Sequence, residues 1–229
     1  MKSNSKRMKK IYNIKKKKIY KFEECIKILK KFPKTNFVES LDVSINLNID
    51  TKKPEQNIKN KVILPHGLGK KIKVLVFTQG KNIELAKKAK ADYIYQENIK
   101  NIKKKIKNFN IVISSPESMK TVGKLGYILG PRGLMPNIKF GTITNNIFDT
   151  IKKIKNGQIK YKNDKNGIIH TSIGKVNFTN KQIKENFFTL IKSLNKIKPS
   201  KIKGEFFKKI YLSTTMGGSI LINHYDLNI

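Results

Sequence analysis

Leu64-Pro65-His66-Gly67-Leu68-Gly69-Lys70-Lys71-Ile72-Lys73-Val74-Leu75-Val76-Phe77 is where the chain changes style. Before it, Leu41, Val43, Ile45, Leu47 and Ile49 alternate with polar residues, the period-two pattern of a strand with one buried face. After it, Ile72 to Phe77 is nearly continuous in apolar residues, as in a strand buried on both faces. The proline and glycines between them break both patterns and read as a linker. A half-buried sheet therefore gives way to a sheet covered by helices on both sides.

Working forward, strand-like and helix-like segments alternate. A helix is expected over Asn82 to Lys90, a strand over Asp92 to Tyr95, a lysine-rich helix to about Lys107 and a strand over Phe109 to Ser114. Pro116 then starts a helix that ends before Gly130, and Asn146 to Lys155 forms another, closed by Asn156-Gly157. This order predicts parallel βαβ units. Gln158 to Lys162 and Ile168 to Ile173 return to strand character, joined by an Asn/Asp/Gly turn. Thr179 and Gln182 have capping-box spacing ahead of Ile183, Phe187, Leu190, Ile191 and Leu194. The last strand runs from Phe206 to Thr214, with Phe206, Lys208, Ile210 and Leu212 expected on one face.

Working backward, Phe22 to Phe32 has helical spacing at Phe22, Ile26 and Leu29, and Pro33 closes it. Cys25, the single cysteine, falls on the apolar face; it permits no internal disulfide and reads as a small buried hydrophobe. The fold class expected is a two-domain α/β chain. Residues 1–66 and 158–229 form a terminal α+β domain, and residues 67–157 an inserted three-layer α/β domain. Gly67, Gly69 and Gly157 mark the two crossings, where side-by-side connections permit hinge bending.

The 229 residues hold 50 Lys+Arg against 15 Asp+Glu, a net charge of +35. A polyanion is the natural neutraliser of such a charge, and nucleic acid is the commonest. Arg7 and Arg132 are the only arginines, and Ile and Asn are abundant, so single lysine runs also read as solvated faces of a chain from an AT-rich genome. No apolar run is long enough to span a membrane, and the basic start lacks the apolar stretch of a signal peptide.

Catalytic and metal chemistry have little to stand on. His66, His170 and His224 are scattered, and no Cys/His/acid group has metal-ligand spacing. Gly67-Leu68-Gly69-Lys70-Lys71 precedes a buried strand instead of following one and lacks the phosphate-loop spacing; a dinucleotide fingerprint is absent too. We expect no enzyme, no metal and no cofactor. Two segments stand out instead. Gly130-Pro131-Arg132-Gly133-Leu134-Met135-Pro136-Asn137 is a rigid irregular loop, either packing on the sheet or offering Arg132 to RNA or a partner. Ser213-Thr214-Thr215-Met216-Gly217-Gly218-Ser219 combines hydroxyls, a thioether and glycines at a strand end; it reads as a plain strand-to-turn transition or as a close fit to a sugar edge.

Together with Asn36-Phe37-Val38-Glu39-Ser40-Leu41-Asp42-Val43, Leu64-Pro65-His66-Gly67-Leu68-Gly69, Asn163-Asp164-Lys165-Asn166-Gly167-Ile168-Ile169-His170 and Ile173-Gly174-Lys175, these two segments resemble the ribosomal protein L1 family in order and spacing, from about residue 5 to residue 222. Ile138 departs from it, standing where bacterial members carry proline, and the end after Gly218 diverges. The resemblance implies a terminal domain made from both chain ends with a Rossmann-like insertion. It implies a non-enzymatic constituent of the large ribosomal subunit, in the cytoplasm and monomeric when free, that holds large-subunit rRNA at the mobile lateral stalk. It further implies a role with exit-site tRNA and repression of its own mRNA. The rRNA-contact positions it implies are Phe37, Ser40, His170, Lys175, Ser213, Thr215, Met216 and Gly217, with Arg132 a contact to RNA or tRNA. Two rivals remain: an RNA chaperone acting by charge alone, and a nucleotide-dependent enzyme on the inserted sheet.

Overall fold

A computed structural model describes residues 6–14, 19–80, 82–95, 108–199, 202 and 204–223. The chain divides into two compact units, Met1–Gly69 with Tyr161–Ile229, and Lys70–Lys160. The lysine-rich helix expected up to Lys107 and the histidine at 224 lie outside the described residues.

The terminal unit is built around strand β2 (Ser40–Leu47). Its alternating residues sort cleanly: Leu41, Val43, Ile45 and Leu47 are buried, and the residues between them are partly exposed. β2 pairs antiparallel on one side with β8 (Ile168–Lys175) and on the other with β9 (Phe207–Thr214). The sheet continues from β9 through β10 (Ile220–Ile222) to the short β1 (Ile19–Tyr20). Helix α1 (Lys6–Ile14) precedes this sheet in the chain.

Two helices supply the apolar cover. α2 (Phe22–Lys31) buries Phe22, Cys25, Ile26 and Leu29, and α7 (Asn180–Lys196) buries Ile183, Phe187, Leu190, Ile191 and Leu194. The Phe22 and Phe187 rings stack at 4.5 Å between centroids. Thr179 and Gln182 form the expected capping box, each side chain meeting the other's backbone N–H. Burial raises the Cys25 thiol to about 12, so it stays protonated and acts as core.

A polar tie fixes the strand and linker against α7. Asn186 is fully buried; its amide donates to the carbonyls of Gly67 (3.0 Å) and Ile173 (2.8 Å), and its Oδ1 accepts from His66 N–H at 3.1 Å. His66 Nε2 also meets Glu185 Oε2. Gly69 has φ +63°, and a β-carbon there would stand 2.7 Å from the Phe178 ring.

The second unit has a three-stranded parallel sheet in the order β5-β4-β6: Tyr93–Tyr95, Val74–Phe77 and Ile111–Ser114. Side chains of β4 alternate between two cores, which is why its sequence shows no polar face. Leu75 and Phe77 pack with Val122, Leu125 and Leu129, from α4 (Met119–Lys124), α5 (Gly126–Leu129) and the residue between them. Val74 and Val76 pack with Ala86 of α3 (Asn82–Lys88) and with Ile147, Ile151 and Ile154 of α6 (Ile147–Lys155). The sheet is covered on both faces.

Two local expectations need correction. The helix placed from Pro116 begins at Met119 and breaks at Leu125 (φ −98°, ψ 3°), because Pro116-Glu117-Ser118 form tight turns and Gly123 and Gly126 flank the break. Gln158 to Lys162 forms the expected strand, now β7, which pairs with β3 (Lys59–Ile63) in a separate two-stranded sheet. Lys208 is exposed and Phe207 buried, since a register irregularity beside Asn46 and Leu47 inserts an extra residue in β9 and flips the pattern.

Asn186→Ala would leave the buried Ile173 carbonyl, the part-buried Gly67 carbonyl and the His66 N–H without their partner. Urea unfolding should show a loss of about 2–4 kcal/mol; a loss below about 1 kcal/mol would mean that water replaces the amide at no cost.

Candidate nucleic-acid interface

The face of the five-stranded sheet opposite the apolar core carries polar residues in register. Ser213, Asp42 and Ser172 form one cross-strand row, and Tyr211, Ser44 and His170 the next. His170 Nδ1 lies 3.0 Å from Ser44 Oγ, and its Nε2 is 3.7 Å from Asp164 Oδ2, beyond hydrogen-bond reach. Asp164 Oδ1 accepts the backbone N–H groups of Ile168 and Asn166, which lowers its pKa and holds the turn into β8. A serine beside a histidine is half of a hydrolytic site. Here Ser44 sits mid-strand in β2, which is hydrogen-bonded on both sides, so the local backbone offers no free donors for an oxyanion.

At one end of β2 the expected contact residues gather into a corner. Ser40 N–H donates to Thr215 Oγ1 at 2.9 Å, and Thr215 N–H donates to the Ser40 carbonyl at 3.2 Å. Lys175 Nζ donates to Ser40 Oγ (3.1 Å) and to the Val38 carbonyl (3.2 Å). Ser40, Lys175 and Thr215 therefore touch, with Met216 and Gly217 in the turn just beyond. Phe37, Val38 and Met216 are 53%, 52% and 56% exposed, large apolar side chains left on a basic surface. Such exposure at a hydrogen-bonded corner suits a flat or edge-on apolar ligand surface.

Ser213 lies one row in, opposite Asp42. His170 is not part of the corner: it pairs with Ser44, four residues along β2, a distance of roughly 13 Å. Arg132 is exposed on a loop of the other unit. That loop is pinned by Gly133 N–H to the Gly130 carbonyl, Leu134 N–H to the Leu129 carbonyl, and Lys160 Nζ to the Gly133 carbonyl at 2.7 Å. The three glycines expected at the crossings, Gly67, Gly69 and Gly157, all adopt positive φ, of 60°, 63° and 95°.

Sequence reasoning passed over two residues. Glu39 is buried, and its Oε1 accepts the Met216 N–H at 2.8 Å and lies 3.4 Å from Arg7 Nη2. Arg7 donates from Nε and Nη2 to the Pro33 carbonyl and from Nη1 to the Met216 carbonyl. Signals for both existed. Glu39 shares the parity of Leu41 and Val43, so an acid there needed a partner, and Arg7 is one of two arginines among 50 basic residues.

No helix among the described residues is long and apolar enough to cross a membrane, and no group of His, Cys, Asp and Glu there could hold a metal ion. The sequence profile of the ribosomal protein L1p/L10e family matches residues 29–218. The chain belongs to that family. Relatives named large ribosomal subunit protein uL1 include one from Buchnera aphidicola subsp. Cinara cedri (strain Cc), 52% identical over 217 residues, spanning 94% of this chain and 96% of the relative. Another from Pasteurella multocida (strain Pm70) is 52% identical over 211 residues, 92% of each chain, and one from Vibrio campbellii is 50% identical over 212, covering 92% and 91%. Membership makes this L1-type chain a bacterial ribosomal protein and not an enzyme, in agreement with the sequence reading.

Two substitutions test the corner's construction. A β-carbon on Gly217 would lie 2.1 Å from Thr214 Oγ1 and 3.0 Å from the Phe32 ring, so Gly217→Ala must displace the buried Thr214 side chain and the ring, or the turn itself. A stability loss of roughly 1–3 kcal/mol is expected, and an unchanged urea midpoint would contradict this packing. Burial raises the Asp42 pKa above its ordinary 3.8, partly offset by the Ser172 hydroxyl and the Lys175 charge. The folded state then holds the proton more tightly than the unfolded one. Stability from this group is full below 3.8 and lost as pH rises through the raised value. Asp42→Asn should gain stability over the parent at neutral pH and lose that advantage in acid; a constant difference across the pH range would contradict the sign.

Proposed function

We propose that this chain is a structural constituent of the large subunit of the cytoplasmic ribosome and that its terminal unit grips large-subunit rRNA at the mobile lateral stalk. The observation that carries the reading is the corner at the end of β2. It has exposed Phe37, Val38 and Met216, the Thr215 hydroxyl held by the Ser40 N–H, and the Lys175 ammonium donating to the Ser40 hydroxyl. Relatives at 50–52% identity over nearly all of both chains bear large-subunit names.

Two kinds of force divide the work. The net charge of +35 attracts any RNA and neutralises phosphates, giving affinity that falls with salt and ignores sequence. The corner supplies selectivity: apolar side chains pack on sugar and base surfaces, and hydroxyls and backbone groups read 2′-hydroxyls on one folded shape. Phe37, Ser40, Lys175, Ser213, Thr215, Met216 and Gly217 form this contact, with His170 extending it along the open sheet face. Because the corner is already hydrogen-bonded within the protein, little ordering cost is left for binding.

In this reading the free chain is a monomer, and bending occurs at the crossings near Gly67, Gly69 and Gly157. The terminal domain comprises residues 1–66 and 158–229 and the Rossmann-like insertion residues 67–157. Exposed Arg132 serves as an RNA or tRNA contact. A role with exit-site tRNA and repression of its own mRNA follow from the family resemblance.

Phe37→Ala and Met216→Asp should each weaken binding to a large-subunit stalk rRNA fragment by about tenfold or more while changing affinity for unstructured RNA of equal length little. Parallel losses on both RNAs in competition filter binding would assign the binding to charge alone.

A further inference from the structure

The first helix is remote in sequence from the Thr215-Met216-Gly217 turn, yet its Arg7, together with Glu39 from the connection before β2, holds that turn from both sides of one residue. Glu39 Oε1 accepts the Met216 N–H at 2.8 Å, and Arg7 Nη1 donates to the Met216 carbonyl. Arg7 Nη2 closes the loop, 3.4 Å from Glu39 Oε1 and 3.1 Å from the Pro33 carbonyl, which also accepts from Arg7 Nε at 3.2 Å. Three acceptors, two in the α2–β2 connection and one in the turn after β9, are thus spanned by one planar fork. Both polar groups of the Met216 peptide are engaged, so its side chain stays 56% exposed on a fixed backbone.

We infer that Arg7 and Glu39 form a positioning pair for RNA selection: Arg7 acts through its guanidinium geometry on the Met216 backbone and not as a cation for phosphate. This rests on the proposed rRNA reading and adds residues to it that the family resemblance did not supply. Composition supports it independently. In a chain where 48 of 50 basic residues are lysine, a lysine at position 7 would keep the charge. One ammonium cannot offer donors in the fixed directions that the Pro33 carbonyl, the Met216 carbonyl and the Glu39 carboxylate require. Glu39 is only 7% exposed, so little water reaches its carboxylate, and the Arg7 and Met216 donors supply the hydrogen bonds that water would otherwise make.

The charge-preserving substitution is therefore the discriminating one. Arg7→Lys and Arg7→Met, made in the full chain, are compared with the parent by two readouts. The first is affinity for a stalk rRNA fragment relative to unstructured RNA of equal length, across a salt series. The second is amide hydrogen exchange at Met216 in the free protein. Both variants should lose selectivity by about tenfold. In Arg7→Lys, affinity for unstructured RNA and the salt slope should stay at parental values. Met216 exchange should quicken by a similar factor in both, with amides in the core of β2 unchanged. A phosphate-contact role for Arg7 would instead leave Arg7→Lys silent and flatten the salt slope of Arg7→Met; that pattern overturns the inference. If the parent shows no preference for stalk RNA, the rRNA reading falls. Met216 exchange then decides alone: quickened exchange in Arg7→Lys upholds the clamp, and unchanged exchange ends it.

Discussion

The structure depends on one backbone arrangement: β2, from the first fifth of the chain, lies hydrogen-bonded between β8 and β9 from its last third. Buried peptide groups must be paired, and a central strand pairs on both sides. Inserting β2 there sets Ser40 opposite Lys175 and Leu41 opposite Thr214. Everything at the corner follows from that register. A slip of one residue would send Leu41, Val43, Ile45 and Leu47 to the open face, so the apolar core fixes the geometry of the polar site.

The same arrangement separates two uses of the sheet. Its inner face is committed to α2 and α7, with the Phe22 and Phe187 rings stacked between the helices. Its outer face carries Asp42, Ser44, His170 and Ser172, groups that meet each other without filling a core. Selectivity and affinity are then separable. Under the proposed rRNA reading, lysines spread over the surface act through the field they create, and the corner acts through contact. Only contact depends on the fold at the scale of a single peptide.

Much of this was legible in the sequence because it rests on periodicity. The alternation in β2 and the continuous apolar run of β4 announced their different burial, and the capping box at Thr179 fixed where α7 begins. The departures have physical causes that periodicity does not encode. β3 and β7 pair with each other because distant parts of the chain meet there, and nothing in either segment names its partner. The irregularity near Lys208 is one extra residue, which a pattern of alternation misreads as a continued face. Six of the eight expected contact residues lie at the corner or directly beside it, since Phe37, Ser40, Lys175, Thr215, Met216 and Gly217 come from strand ends that the register joins. The Arg7–Glu39–Met216 connection is a tertiary contact between three separate segments. Composition hinted at both side chains, but their meeting exists only in three dimensions.

Hydroxyl-radical footprinting of the chain on intact large-subunit rRNA, with excess unstructured RNA present, tests most directly whether shape and not charge selects the ligand. One compact protected region, unchanged as competitor is added, is the predicted result. Diffuse protection that fades in proportion to competitor would contradict the account.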